Sequence, residues 1–346
     1  MSLPQPHLVA GRRAVRSVLG PLPDGAVVVV GCSGGVDSLA LAACVAQETT
    51  GPLAARGLVV RAVVVDHGMQ AGSAAVASDA AAECERLGLA TRVVRVEVGG
   101  QGGPEAAARA ARYAALEAAV DAEVAAAGAP GGVVLVGHTR DDQAETVLLG
   151  LARGAGARSL GGMRRERGRV RRPFLGLTRA DTEGVCTELG LEVWDDPTNV
   201  PTVDGAGPRR SRVRHQVLPV LEDVLGPGVT AALARSAEQL REDDDALTGL
   251  AEALLASAGG GASDEGYDVA TLAGAPAAVR RRALRAAAVR AGSLAGSLTR
   301  THVLALDALV VAWAGQGAVP LPGRVDGVRS CGRLVLHARL AGTPAP

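Results

Sequence analysis

Ser33-Gly34-Gly35-Val36-Asp37-Ser38 follows the apolar run 26–30 and precedes an alanine-rich stretch with helical spacing. Paired glycines between a buried strand and a helix leave backbone N–H groups free to point at an anion, and the helix adds its positive end. Ser33 and Ser38 can donate hydroxyl hydrogen bonds to phosphate oxygens. Asp37 would repel a phosphate unless a cation lay between them, so its presence points to Mg2+. A tight turn capped by Ser or Asp uses the same residue types. The full Ser-Gly-Gly-x-Asp-Ser after a strand fits a phosphate loop better than a glycine pair alone would. The familiar Gly-Lys-Ser/Thr loop is excluded, because the chain contains no lysine.

Two further polar segments share that setting: DHGMQ at 66–70 and GHTRDDQAET at 137–146. Asp66 and His67 could contact a base or ribose, although a lone His after a strand serves equally as a structural hydrogen-bonder. His138, Asp142, Gln143 and Glu145 fall at a strand end and the first turn of a helix. Acids there complement the helix dipole; beside a phosphate loop they can also hold Mg2+ or orient an amine. Arg109, Arg112 and Tyr113 are spaced to share one helix face, either solvated or aimed at the same site.

The elements that must position these residues alternate. Apolar runs at 27–30, 61–66, 91–98 and 133–138 are expected to be strands, with helices near 38–48, 74–87, 104–127 and 141–153. Continuous apolar strands separated by helices imply an α/β fold, a parallel sheet with helices on both faces. Ligands of such sheets sit beyond the carboxyl ends of the strands, where all three polar segments converge. Beyond a Pro/Gly-rich segment at 201–210, residues 212–256 read as helical and 258–266 as a loop. Helices follow at 279–291 and around 299–314, then a short β-like end. The expected domains are a catalytic domain at 1–215, a helical linker at 216–245 and a smaller, mainly helical domain at 246–346.

The chain has 346 residues, 48% of them hydrophobic but only 1% aromatic, so its core must be Val, Leu and Ala. Five cysteines are scattered without a Cys-x-x-Cys, which indicates neither a zinc site nor a disulfide framework. No apolar run reaches the roughly 20 residues of a membrane span, and the N-terminal segment lacks a signal-peptide pattern. The expectation is a cytoplasmic protein. A net charge of zero hides a basic middle: nine arginines face one acid between Arg153 and Arg179, and 208–215 adds four more. A soluble surface or a nucleic-acid phosphate face would explain this bias, and the phosphate face explains it better. With one Phe, two Tyr and two Trp, aromatic stacking platforms are not expected, so arginine planes or shape recognition must serve. Trp194 is read as packed and EDDD at 242–245 as a solvated helix face. The arginines at 280–282 suit either a nucleic-acid phosphate face or a surface helix.

SGGVDS resembles the PP-loop of the N-type ATP pyrophosphatase superfamily, which holds the pyrophosphate part of ATP and transfers AMP to a carbonyl-like oxygen. DHGMQ, EAAARAARY (105–113), GHTRDDQAET, RPFL (172–175), DDPTN (195–199) and RRSRVRHQVLP appear in the order seen in the tRNA(Ile)-lysidine synthetase family. The likeness covers about 25–220, and more weakly the tail, read as the family's first C-terminal domain; a second one is expected to be absent. Where that family carries two adjacent histidines, this chain has only His138.

The resemblance implies ATP and Mg2+ as cofactors, with L-lysine and a tRNA(Ile) bearing a CAU anticodon as substrates. Relatives of this layout suggest a homodimer. The implied catalytic residues are Asp37, Arg112, Asp142 and Arg212, with Arg112 offsetting charge at the α-phosphate. Ser33, Gly34, Gly35, Val36, Asp37, Ser38, Asp66, His67 and His138 would bind ATP, while Asp37 and Asp142 hold the metal. Arg164, Arg165, Arg167, Arg210, Arg212 and Arg214 would bind tRNA. Among rivals, a sulfur-inserting tRNA enzyme commonly uses a cysteine pair. A PP-loop amidotransferase needs a glutamine-hydrolysing domain, and NAD synthetase has no need of the basic middle. A passive nucleotide-binding module or RNA chaperone gains little from carboxylates beside phosphates.

Overall fold

The computed structural model describes residues 5–68, 72–99, 103–196, 207–259 and 266–338. Two compact units divide the chain at Glu238/Gln239.

The first unit is built on strand β1 (Val27–Cys32), whose side chains alternate between two cores. Val28, Val30 and Cys32 join one hydrophobic cluster, while Val27 and Val29 join the other. Burial on both faces is why the strand reads as an unbroken apolar run rather than an alternating one. Around it lie α1 (Pro6–Leu19), α2 (Val36–Thr50), β2 (Val59–Asp66), α3 (Ser73–Arg86), β3 (Ala90–Arg95), α4 (Pro104–Ala127), β4 (Gly132–Leu135) and α5 (Arg140–Leu151). Next come α6 (Ala157–Leu160), the short strands β5 (Glu166–Arg167) and β6 (Val170–Arg171), and α7 (Arg179–Leu189). The sheet order is β3-β2-β1-β4-β6-β5, parallel throughout except for the β5–β6 pair. The chain steps from β1 outward through β2 and β3, then returns to β4 on the other side of β1. The crevice between the carboxyl ends of β1 and β4 is therefore the topological switch point.

Helix α1, which lies outside the elements expected from the sequence, is fastened at both ends. Glu188 of α7 accepts the His7 and Leu8 N–H groups at 3.2 and 2.9 Å, closing the exposed helix start. Near its other end Arg12 and Arg16 reach the fully buried Glu48 of α2, both at 2.7 Å.

The stretch expected to be helical from 212 is interrupted. Helix α8 (Arg209–Arg212) runs through a π-helical turn (Val213–Val217) into α9 (Leu218–Leu225), and then Gly226-Pro-Gly228 breaks the chain with two positive-φ glycines. The Glu222 carboxylate accepts N–H groups of Gly228, Val229 and Thr230, starting α10 (Val229–Ser257), the helix that contains the boundary between units. No single helix among the described residues is long and apolar enough to cross a membrane.

The second unit packs α11 (Val269–Gly274), α12 (Ala277–Arg290) and α13 (Arg300–Val311) with an antiparallel sheet. Its strands are β7 (Tyr267–Asp268), β8 (Val319–Leu321), β9 (Val325–Ser330) and β10 (Arg333–Ala338), in the order β7-β10-β9-β8. The arginines at 280–282 are internal ties: Arg280 and Arg281 share Asp307 at 2.6 and 2.7 Å, and Arg282 pairs with Asp244. Asp244 is buried, which corrects the reading of 242–245 as a wholly solvated face. Trp313 is 48% exposed, with Arg329 5.0 Å from its ring centre.

Candidate active site

A cleft of about 1280 Å³ opens at the switch point, and all three polar segments line it. The loop after β1 supplies Ser33, Gly35, Val36, Asp37 and Ser38; the end of β2 supplies Asp66 and His67; the segment after β4 supplies Gly137, His138 and Asp142. Met69 and Gln70 lie outside the described residues. Gly34 adopts φ +80°, a conformation side chains resist, and its carbonyl accepts the Trp194 N–H at 3.0 Å. That bond straps the segment carrying Trp194 and Asp195 across the phosphate loop; Pro197–Asn199 of DDPTN lie outside the described residues.

Ser38 serves the loop itself. Its hydroxyl donates to the Gly35 carbonyl at 2.9 Å and accepts the Ser33 N–H at 3.0 Å. The N–H groups of Val36 and Asp37, in the first turn of α2, have no intrahelical acceptor by position, and both residues line the cleft. Cys32, buried beneath the loop, has its Sγ 3.6 Å from the Ser38 hydroxyl.

Asp37 belongs to α2, its side chain is 20% exposed, and it accepts the Thr182 hydroxyl at 2.5 Å and Arg179 Nη2 at 3.1 Å. Burial pushes its pKa up to about 6, opposed by Arg179 and Thr182. Asp142 closes a capping box with Thr139, whose N–H donates to Oδ2 at 2.9 Å. Its other oxygen lies 3.4 Å from Arg214 and 3.5 Å from Arg179. Burial raises Asp142, yet the Thr139 N–H and the neighbouring cations hold it below the usual carboxylate range. Glu145, fully buried and raised by burial, accepts Arg214 Nε at 2.7 Å through one oxygen and has no partner on the other among the described residues.

The opposite wall is cationic. Arg112 lines the cleft, and no carboxylate or carbonyl meets its guanidinium among the described residues; the Tyr113 ring is 5.8 Å away. Burial and the positive charge of Arg112 lower His67. Burial, aided by Arg172, Arg109 and Arg112, pushes His138 down to about 3, so its imidazole is neutral with Nδ1 unpartnered.

The basic stretch 153–179 does not form one face. Arg164, Arg165 and Arg167 are exposed around β5. Arg172 is buried and donates to the Arg164 carbonyl and the Tyr113 hydroxyl. Arg179 turns into the carboxylate cluster. The later cluster also divides: Arg210 donates to Thr146 at 3.0 Å and Arg212 is exposed beside Gln216, whereas Arg214 enters the cleft. Arg164, Arg165, Arg167, Arg210 and Arg212 therefore do not line it. Arg179, Thr182 and Gly137 are site residues that spacing did not reveal. A Cβ on Gly137 would sit 2.5 Å from the Asp37 carbonyl oxygen, so glycine alone lets the β4 loop meet α2.

Two carboxylates from different helices converge on one cationic nitrogen, and burial leaves Asp37 short of positive charge. Hard oxygen donors of this kind suit Mg2+, which is commonly held by one or two carboxylates completed by substrate phosphates. Asp37 and Asp142 fit that requirement.

Comparison with known proteins gives two family matches: a PP-loop domain over residues 11–221 and a TilS substrate binding domain over 268–335. The tRNA(Ile)-lysidine synthase of Thermobifida fusca is 50% identical over 340 residues, covering 98% of this chain and 100% of its own. Those of Leifsonia xyli and Streptomyces coelicolor are 51% and 49% identical, covering 92% and 91% of this chain and 91% and 86% of theirs. Among solved structures, the U34-tRNA thiolase NcsA from Methanococcus maripaludis aligns with a TM-score of 0.54 at 21% identity, over 68% of this chain and 80% of its own, a likeness of fold.

Proposed function

The chain belongs to the tRNA(Ile)-lysidine synthase family, and from that premise we propose how its cleft performs the ligation. The protein is an ATP-binding ligase that forms lysidine on tRNA(Ile). In our reading the substrates are L-lysine and a cytoplasmic tRNA(Ile) with a CAU anticodon. The wobble cytidine O2 attacks the α-phosphate of ATP and expels pyrophosphate. The lysine amine then attacks C2 and loses a proton, and the C2–O bond breaks to release AMP.

The carrying observation is that the Ser33–Ser38 loop, with Asp37 in it, and Asp142 line one cleft together with Arg112, Arg179 and Arg214. The first-turn N–H groups of α2 bind the β- and γ-phosphates, and Arg112 offsets the charge developing at the α-phosphate. Asp66 and His67 contact the nucleoside. Asp37 and Asp142 would hold Mg2+, which supplies positive charge to the departing pyrophosphate.

Residues 1–215 act as the adenylating domain, 216–245 as a linker and 246–346 as a tRNA-binding domain; two separate family matches, over 11–221 and 268–335, support a catalytic and a substrate-binding part. The exposed Arg164, Arg165 and Arg167 hold the tRNA backbone, with Arg210, Arg212 and Arg214 reaching toward the anticodon. A homodimer is the assembly we expect, and sedimentation velocity tests it. The chemistry is tested with labelled lysine and an unmodified CAU transcript, quantifying nucleotide products. One AMP and one pyrophosphate should form per lysidine. ADP as the product would overturn the reading.

A further inference from the structure

Arg179 Nη2 lies 3.1 Å from Asp37 Oδ2 and 3.5 Å from Asp142 Oδ1, so one nitrogen serves acids from two different helices. Arg179 opens α7, where its backbone N–H donates to Asp141 Oδ2 at 2.9 Å. Its side chain is 22% exposed, and its Nε is buried with no acceptor among the described residues. This is far from the two-pronged guanidinium–carboxylate pairing that makes such contacts strong. The Thr182 hydroxyl, one turn further along α7, fixes the other Asp37 oxygen at 2.5 Å. Helix α7 thus delivers a positive charge to the position where both carboxylates converge, and leaves that charge only half satisfied.

We infer that Arg179 is a positioning residue and the resident counter-cation of the Asp37–Asp142 pair, one that a divalent ion displaces and that then turns its donors to the nucleotide phosphates. The inference rests on reading Asp37 and Asp142 as the metal carboxylates. A guanidinium and a divalent ion repel each other at one position, so they compete for it. In the free enzyme Arg179 keeps two like charges together; once displaced, its unsatisfied Nε finds a phosphate acceptor in the same cleft.

The test is Mn2+ binding to the full chain, followed by electron paramagnetic resonance, with and without α,β-methylene-ATP. Without nucleotide, Arg179→Gln should bind Mn2+ at least about tenfold more tightly than wild type, the scale of removing one charge–charge repulsion. Arg179→Lys should stay close to wild type, and Asp37→Asn should abolish binding. With Mn2+ present, Arg179→Gln should bind the ATP analogue several-fold more weakly. Unchanged or weaker Mn2+ binding by Arg179→Gln, with Asp37→Asn still unable to bind the ion, would make Arg179 a scaffold and overturn the inference. Mn2+ binding that survives Asp37→Asn would overturn the metal reading itself. Lower tRNA affinity with Mn2+ binding unaltered would return Arg179 to the tRNA face and also contradict it. Should Arg179→Gln fail to melt cooperatively, wild type decides through its arginine Nε–H resonance, assigned with Arg179→Lys. That resonance should shift when Mg2+ and the analogue bind, and a fixed one would overturn the inference.

Discussion

Asp37 stands at the second position of α2 with both oxygens claimed, so it joins chemistry to stability. Asp37→Ala should lower single-turnover lysidine formation by on the order of a hundredfold or more, the usual cost of removing a charge that stabilises a transition state. It should also lower the melting temperature, because Thr182 and Arg179 are deprived of a buried acceptor worth about 1–3 kcal/mol. Asp37→Asn, which keeps an acceptor for Thr182, should recover most of the stability but not the turnover. Equal turnover in the Asn variant and wild type would remove Asp37 from the chemistry. Gly137→Ala tests the close approach of the two loops. Its Cβ would meet the Asp37 carbonyl at 2.5 Å, so destabilisation of about 1–3 kcal/mol and weaker ATP binding are expected by calorimetry. At this scale the glycine loop and Asp142 were legible because their chemistry is local in sequence. Arg179 and Thr182 were not, since they meet Asp37 across 142 and 145 residues. Proximity in sequence groups Arg214 with Arg210 and Arg212, but the helical turn points it into the cleft instead.

Among the elements, α1 and α2 are tied by Glu48, which is buried against Arg12 and Arg16. The Arg16 hydrogen bond, joined by Arg12, holds the Glu48 carboxyl below its ordinary value of 4.5. A carboxylate depressed in the folded state contributes stability above its unfolded pKa and loses it as the pH falls through the folded one. That contribution should be complete at neutral pH and fade below about pH 4.5. Glu48→Gln should destabilise by about 2–3 kcal/mol at pH 7, below the usual range for a broken buried pair because both arginines keep access to water. In urea unfolding series the gap between wild type and variant should narrow toward about pH 3; a constant gap would contradict the ion-pair account. The central strands were readable because burial on both faces writes valine runs into the sequence. Strand β7, two residues long, carries no such period, and α1 is recognisable mainly through what it packs against.

For the whole molecule, the proposed reaction has tRNA reach both the cleft and the exposed arginines around β5, which lie outside it. Replacing Arg164, Arg165 and Arg167 together with Gln should weaken tRNA binding and reduce the log–log salt slope by about 0.7–0.9 for each phosphate no longer neutralised. ATP binding should be almost unchanged, since none of the three lines the cleft. Filter binding across a salt series measures this, and an unaltered slope would place the tRNA elsewhere. The order of motifs was visible in sequence because each sits at a strand end, whereas the division of arginines into structural, cleft and surface groups required the fold. The central claim is that the cleft adenylates the wobble cytidine oxygen before lysine arrives. It is tested most directly with a tRNA(Ile) whose wobble cytidine carries 18O at O2, by mass spectrometry of the released AMP. The account predicts that the heavy oxygen leaves in the AMP phosphate; unlabelled AMP would contradict it.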